Sequence, residues 1–128
     1  MNKRKIKVIA IFLLIVIVLS GVYMSHPLWG SEERVKSRIL KETPIGMHME
    51  DVIAVIEGNR KWEIRYIDYE NGYYSKGAGP WVGEKSIRVY IGSYKYALLI
   101  DVSVTVFWGF DENEILTDVD VWKSPNVL

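Results

Sequence analysis

Seventeen consecutive residues, Val8 to Met24, carry no charge (VIAIFLLIVIVLSGVYM), and twelve of them are Val, Ile, Leu or Phe. As a helix this run rises roughly 26 Å, and the uncharged stretch continued to Trp29 rises roughly 33 Å, which brackets a ~30 Å hydrocarbon core. The twelve large apolar residues contribute roughly −4 to −7 kcal/mol to insertion. Tyr23 and Trp29 stand where interfacial rings rest, His26 lies between them, and Pro27 marks the expected helix end. Lys3, Arg4, Lys5 and Lys7 precede the run, while Arg34, Lys36, Arg38 and Lys41 follow it. The tighter N-terminal cluster favours an N-terminus inside and a domain outside. Residues 1–30 therefore read as a basic N-terminus and transmembrane signal-anchor, meeting membrane lipid through residues 8–29. Residues 31–128 read as a small extracytoplasmic domain at the cell membrane. The alternative is a cleaved signal peptide, with Val18-Leu19-Ser20 as its cleavage site.

The balance of 16 basic and 16 acidic residues hides an asymmetry: beyond Gly30 there are 12 basic and 16 acidic residues, net −4. A nucleic-acid partner is not expected of such a domain. With no cysteine in the chain, disulfides, thiolate zinc sites, a cysteine nucleophile and a lipidated cysteine are all excluded. Fewer than a hundred residues remain outside the anchor, enough for one modest core.

Two short helices open the domain. Ser31 is a good N-cap, Glu32 and Glu33 suit a first turn, Val35, Ile39 and Leu40 form an apolar stripe, and Thr43-Pro44 is a stop. Met49 to Glu57 repeats the pattern, with Glu50 and Asp51 first, Met49, Val52, Ile53 and Ile56 at helical spacing, and Gly58-Asn59 as the stop. Strands follow. Trp62 to Tyr66 alternates, as do Ser86 to Ile91, Leu98 to Trp108 and Ile115 to Lys123. An Asp111–Glu114 turn would pair Phe110 with Ile115, Val106 with Val119 and Val104 with Val121, all apolar on one face. The same pairing sets Phe107 across from Asp118, Thr105 from Asp120 and Ser103 from Trp122. A Gly92-Ser93 turn would pair Val89 with Tyr96 and Ile87 with Leu98. Asn71-Gly72 is a further hairpin signal, and whether residues 73–76 make a strand stays open. The expected fold is α+β: a transmembrane helix, then two short helices on an antiparallel sheet of three to five strands, in two layers.

Ile45-Gly46-Met47 ahead of an acidic-started helix (Glu50, Asp51, Val52, Ile56), Gly58 at its end and Trp62 opening a strand form one group of signals. The closing Val106–Asp111 strand, a polar turn and Leu116 to Val121 form another. Together, over about residues 40–123, they resemble the SmpA/OmlA (BamE-like) envelope domains, related in fold to beta-lactamase-inhibitor-protein domains. The resemblance implies two helices on an antiparallel sheet and a habit of packing against other envelope proteins. The family's lipidated cysteine is absent, and residues 73–95 look like an insertion.

Chemistry is sparse. His26 and His48 lack the third ligand and the i, i+4 spacing of a metal site, so no metal or other cofactor is expected. Asp118 and Asp120 share one strand face; acid/base work there would need a raised pKa, whereas alternation on a wet face explains them without function. Asp111-Glu112-Asn113-Glu114 lacks the spacing of a calcium loop. Gly77-Ala-Gly-Pro-Trp-Val-Gly83 has no following helix to make a phosphate cradle.

The aromatic residues are more informative. Tyr73, Tyr74 and Trp81 crowd a stretch of Gly and short polar residues, while Phe107 and Trp122 fall on the sheet face away from the apolar one. Either the 70–85 segment covers that face, or these five form a docking surface for an envelope protein partner. The favoured function is a membrane-anchored extracytoplasmic protein-binding or scaffold domain of the cell envelope without catalysis. The alternatives are a secreted inhibitor-like module and a small hydrolase using Asp118 or Asp120.

Overall fold

The computed structural model of the chain describes residues 2–24 and 28–127. His26 and Pro27, expected at the end of the anchor, lie outside the described residues, as does the side chain of Tyr23. The first helix, α1 (Lys3–Met24), starts on the basic cluster and continues through the apolar run. Its large apolar side chains from Ile6 to Leu19 are all exposed, and they cover every side of the helix. Among the described residues no helix is long and apolar enough to cross a membrane. The uncharged part of α1 with described side chains, Val8–Ser20, rises only ~20 Å against a ~30 Å core. An anchor therefore needs residues beyond that part.

The domain is α+β, with α2 (Glu32–Glu42) and α3 (Met49–Glu57) preceding the strands. Both helices begin where their caps direct. Ser31 Oγ accepts from the Arg34 amide at 3.2 Å, and His48 Nδ1 accepts from the Glu50 amide at 3.2 Å. Six strands follow: β1 (Glu63–Asp68), β2 (Tyr73–Tyr74), β3 (Trp81–Val82), β4 (Lys85–Ala97), β5 (Ile100–Phe110) and β6 (Leu116–Val127). A four-stranded antiparallel sheet runs β1-β4-β5-β6, and β2 and β3 form a separate two-stranded ribbon. The undecided segment at 73–76 is thus a strand for two residues only.

One sheet face carries the core. Ile87, Val89, Val104, Val106, Trp108, Phe110, Val119 and Val121 meet Val35 and Ile39 of α2 and Met49, Val52 and Ile56 of α3. Each helix buries only its apolar stripe, which a helix of nine or eleven residues needs in order to persist. The largest buried ring is also satisfied: Trp108 Nε1 donates to Thr43 Oγ1 at 3.0 Å, and that hydroxyl donates to the Ile39 carbonyl at 2.9 Å. Thr43 thus ends α2 and neutralises a buried polar group at once. The segment before α3 is tied to the last hairpin, since Met49 N donates to Glu114 O at 2.8 Å and Leu116 N to Met47 O at 2.8 Å.

Two expectations about register need correction. The Gly92-Ser93 turn does not exist: β4 runs on to Ala97, and Val89 pairs with Val106, Ile87 with Trp108. Gly92, at φ +128°, instead marks a shift of register between Tyr90 and Gly92. An isolated glycine in a strand pattern signals such a bulge as readily as a turn. The hairpin turns six residues later, at Leu98-Leu99, so the strand expected from Leu98 begins at Ile100.

The last hairpin keeps its expected faces at Val119 and Val121 but changes its partners, and Leu116 takes the core position expected of Ile115. Val106 pairs with Val121, Trp108 with Val119 and Phe110 with Leu116. Across the sheet Phe107 faces Asp120, Thr105 faces Trp122 and Ser103 faces Ser124. The turn is one residue longer than four, closed by Asp111 N donating to Ile115 O, and Thr117 is extra in a bulge beside Gly109. Two one-residue departures sum to two, so the alternation of sides survives.

Candidate functional site

The two-residue ribbon sorts the aromatic candidates. Tyr73 pairs with Val82 and Tyr74 with Trp81, and successive side chains on a strand point to opposite sides. Tyr73 therefore turns onto the sheet and is 3% exposed, while Tyr74 and Trp81 turn outward together, Trp81 at 47%. Their rings meet edge to face with centroids 4.7 Å apart.

Beneath the ribbon, Tyr73, Phe107 and Trp122 form a row. Tyr73 and Phe107 have centroids 5.1 Å apart, and Phe107 and Trp122 are 6.4 Å apart. Glycines permit this closeness. A Cβ on Gly109 would stand 3.0 Å from Tyr73 and from Val82, and one on Gly77 (φ +81°) would stand 3.0 Å from the Trp122 ring. Of the five candidates, three are brought together under cover and two present an exposed pair above it. Phe107, 5% exposed, is buried by the ribbon and is not surface. The 70–85 segment therefore covers much of the face on which Phe107 and Trp122 lie. Lys76 holds it down by an ion pair to Glu32 in the first turn of α2. That hydrogen bond and the Glu32 charge raise the Lys76 pKa.

The polar groups under the ribbon are poorly matched. Arg88, Phe107 and Asp120 are cross-strand neighbours on β4, β5 and β6, with the Arg88 guanidinium 5.5 Å from the Phe107 ring centre. Arg88 Nε, Asp120 Oδ2 and the Tyr73 hydroxyl are each buried without a well-formed hydrogen bond, and the nearest polar group to the phenol is the Asp120 carboxylate. Burial first, and the nearby charges of Asp120 and Asp118 second, push the Tyr73 phenol well above its ordinary pKa. Asp118 takes a different role. It is bound by Lys36 at 3.4 Å and accepts from the Val119 amide at 2.8 Å. The two carboxylates thus differ: Asp118 is partly exposed and ion-paired, and Asp120 lies against Tyr73.

His48 serves as the cap of α3, and among the described residues no three His, Cys, Asp or Glu side chains gather as a metal set. A cleft of about 490 Å³ lies elsewhere, between α2, the approach to β1 and the β4 bulge, lined by Leu28, Val35, Ile39 and Trp62 with Arg38 and Lys61. It contains neither Asp118 nor Asp120.

Sequence reasoning missed a second aromatic group. Lys123 Nζ donates to the carbonyls of Leu28 (2.7 Å) and Gly30 and to the Tyr94 hydroxyl (3.1 Å), fastening the segment after α1 to the sheet. Trp29 then packs edge-on against Tyr94 at 5.3 Å and stacks on Tyr96 at 6.0 Å. The signal available was the run Tyr94 to Leu99, apolar but for Lys95 and without a turn-forming residue.

Comparisons of the chain with family models, with curated proteins and with solved structures give no match.

Proposed function

We propose that this chain is a membrane-anchored extracytoplasmic domain of the cell envelope that binds or scaffolds another protein, without catalysis of its own. The observation that carries the reading is α1. A helix that is apolar on every side and touches no core is at home only in a dry surrounding. Its backbone continues to Met24, which brings the uncharged rise to roughly 26 Å, and no acidic or basic residue follows until Glu32. Four basic residues at its start favour a cytoplasmic N-terminus.

The protein-binding half of the proposal draws on the Tyr74–Trp81 pair, held outward by a ribbon whose other side is buried. Large rigid rings on an otherwise small-residue loop are a common currency of interfaces. The likeness to BamE-like envelope domains is carried into the proposal from the sequence.

Fractionating cells that make the full chain, beside a chain lacking residues 1–30, tests the anchor. The full chain is expected in the membrane pellet and the shortened one in the supernatant; a soluble full-length protein overturns the proposal. A photoreactive residue at Trp81 should crosslink a discrete envelope protein, while the same residue at the buried Phe107 should not.

A further inference from the structure

The β4–β5 hairpin ends where hairpins usually place Gly, Asn or Asp, yet this one turns through Leu98 and Leu99. Leu98 is 89% exposed, and Leu99 and Tyr96 are exposed as well. Between the paired Gly92 and Val104 the hairpin carries one lysine and one acid, Lys95 and Asp101, set opposite each other, and the residues beyond that pair, Tyr96 to Ile100, carry no charge. Its uncharged tip is therefore two bare leucines with tyrosines behind them, and Lys95 stands at its base. Those are the residue types that settle at a lipid–water boundary, aliphatic side chains inward and Tyr, Trp and Lys at headgroup level.

Position supports composition. Trp29 stacks on Tyr96 and meets Tyr94, and it follows the last residue of α1 by only five positions. Five residues of chain reach at most roughly 17 Å. Lys123 fixes Leu28 and Gly30 to the same end of the sheet. The hairpin that displays the leucines is thus packed against the chain segment that leaves α1.

We propose that the β4–β5 hairpin tip is a second membrane contact, with Leu98 and Leu99 entering the leaflet from which α1 emerges and Trp29, Tyr94 and Tyr96 lying among the headgroups. The occupant of this surface is lipid. The contact rests on the anchored reading of α1, and it deepens that reading by giving the domain an orientation on the bilayer. The ribbon pair Tyr74–Trp81 and the Asp111–Glu114 turn remain in water.

The absence of native cysteine allows a direct test with the full chain. Phe12→Cys, Leu98→Cys and Asn113→Cys are made singly, labelled with an environment-sensitive fluorophore, and reconstituted into phosphatidylcholine–phosphatidylglycerol vesicles. A fraction of the lipid carries a quencher on its acyl chains. Labels at 12 and 98 are expected to emit to the blue and lose most of their emission to the quencher, and the label at 113 is expected to do neither. Quenching at 12 without quenching at 98 overturns the hairpin contact and leaves the anchor standing. A blue-shifted but unquenched label at 98 also overturns it, since protein would then cover the tip. No quenching at 12 overturns the anchor, and with it the contact that depends on it.

Discussion

The two faces of the four-stranded sheet are built from adjacent residues of the same strands and obey different rules. On the helical face Trp108 is fully buried, and its one polar atom is satisfied by Thr43. On the ribbon face Phe107, the preceding residue, is almost as deeply buried, but three polar atoms around it lack a well-formed hydrogen bond. A buried donor or acceptor left unmatched costs roughly 1–3 kcal/mol. The helical face is therefore where most of the core is packed, and the ribbon face is a cover held by ring contacts, the Lys76–Glu32 ion pair and the buried Ser86 hydroxyl, which donates toward the carbonyls of Asn71 and Gly72.

The widest difference is expected for Trp108→Ala, which empties a fully packed site and should cost about 3–5 kcal/mol in urea unfolding. A small loss would mean that the helical face is looser than its burial implies. Thr43→Val keeps the shape and removes the acceptor for the indole, and should cost about 1–3 kcal/mol, read from the same midpoint. On the other face, Gly77→Ala places a methyl group against Trp122 at a left-handed backbone position and should cost about 1–2 kcal/mol. Its effect should fall on the ribbon, seen as faster amide exchange in residues 73–82 with the core unchanged.

The smallest effect is expected for Tyr73→Phe, which removes a hydroxyl that makes no well-formed hydrogen bond and should change stability by less than about 1 kcal/mol at neutral pH. Its signature is alkaline. Because the folded state holds the Tyr73 phenol above its ordinary pKa, the protein loses stability as pH rises past about 10, the unfolded value. The Phe variant should lose less over that window, and absorbance titration should show one fewer late-ionising tyrosine. If Tyr73→Phe costs as much as Thr43→Val, the contrast between the faces is gone.

Local signals were legible in the sequence. The ends of α2 and α3 coincide with their caps because Ser31, His48 and Gly58 act on backbone groups a few residues away. The Asp111–Glu114 turn is equally local, with Asp111 Oδ1 accepting from the amides of Asn113 and Ile115. Parity carried the core face of β5 and β6 through a longer turn and a bulge, since only alternation had to survive. What failed was any inference that required knowing which irregularity a glycine creates: Gly92 bends β4 and does not reverse it.

The candidate site was half legible. Tyr73, Tyr74, Trp81, Phe107 and Trp122 do cluster around one ribbon, but composition alone could not divide the covered rings from the displayed ones. That division comes from the pairing of Tyr73 with Val82, a contact across nine residues. The Leu98-Leu99 turn was hidden for the opposite reason. Its residues look like strand interior, and only the full length of β4 reveals that they sit at an end.

The Lys123 clasp on Leu28 and Gly30 has a last consequence for an anchored protein. Only three residues separate Met24 from Leu28, so the chain between helix and clasp can reach no farther than roughly 14 Å. The domain is not on a leash. An anchor in α1 would hold it within that short distance of the bilayer, so that a partner would have to reach it there, and height above the surface would filter who can be met.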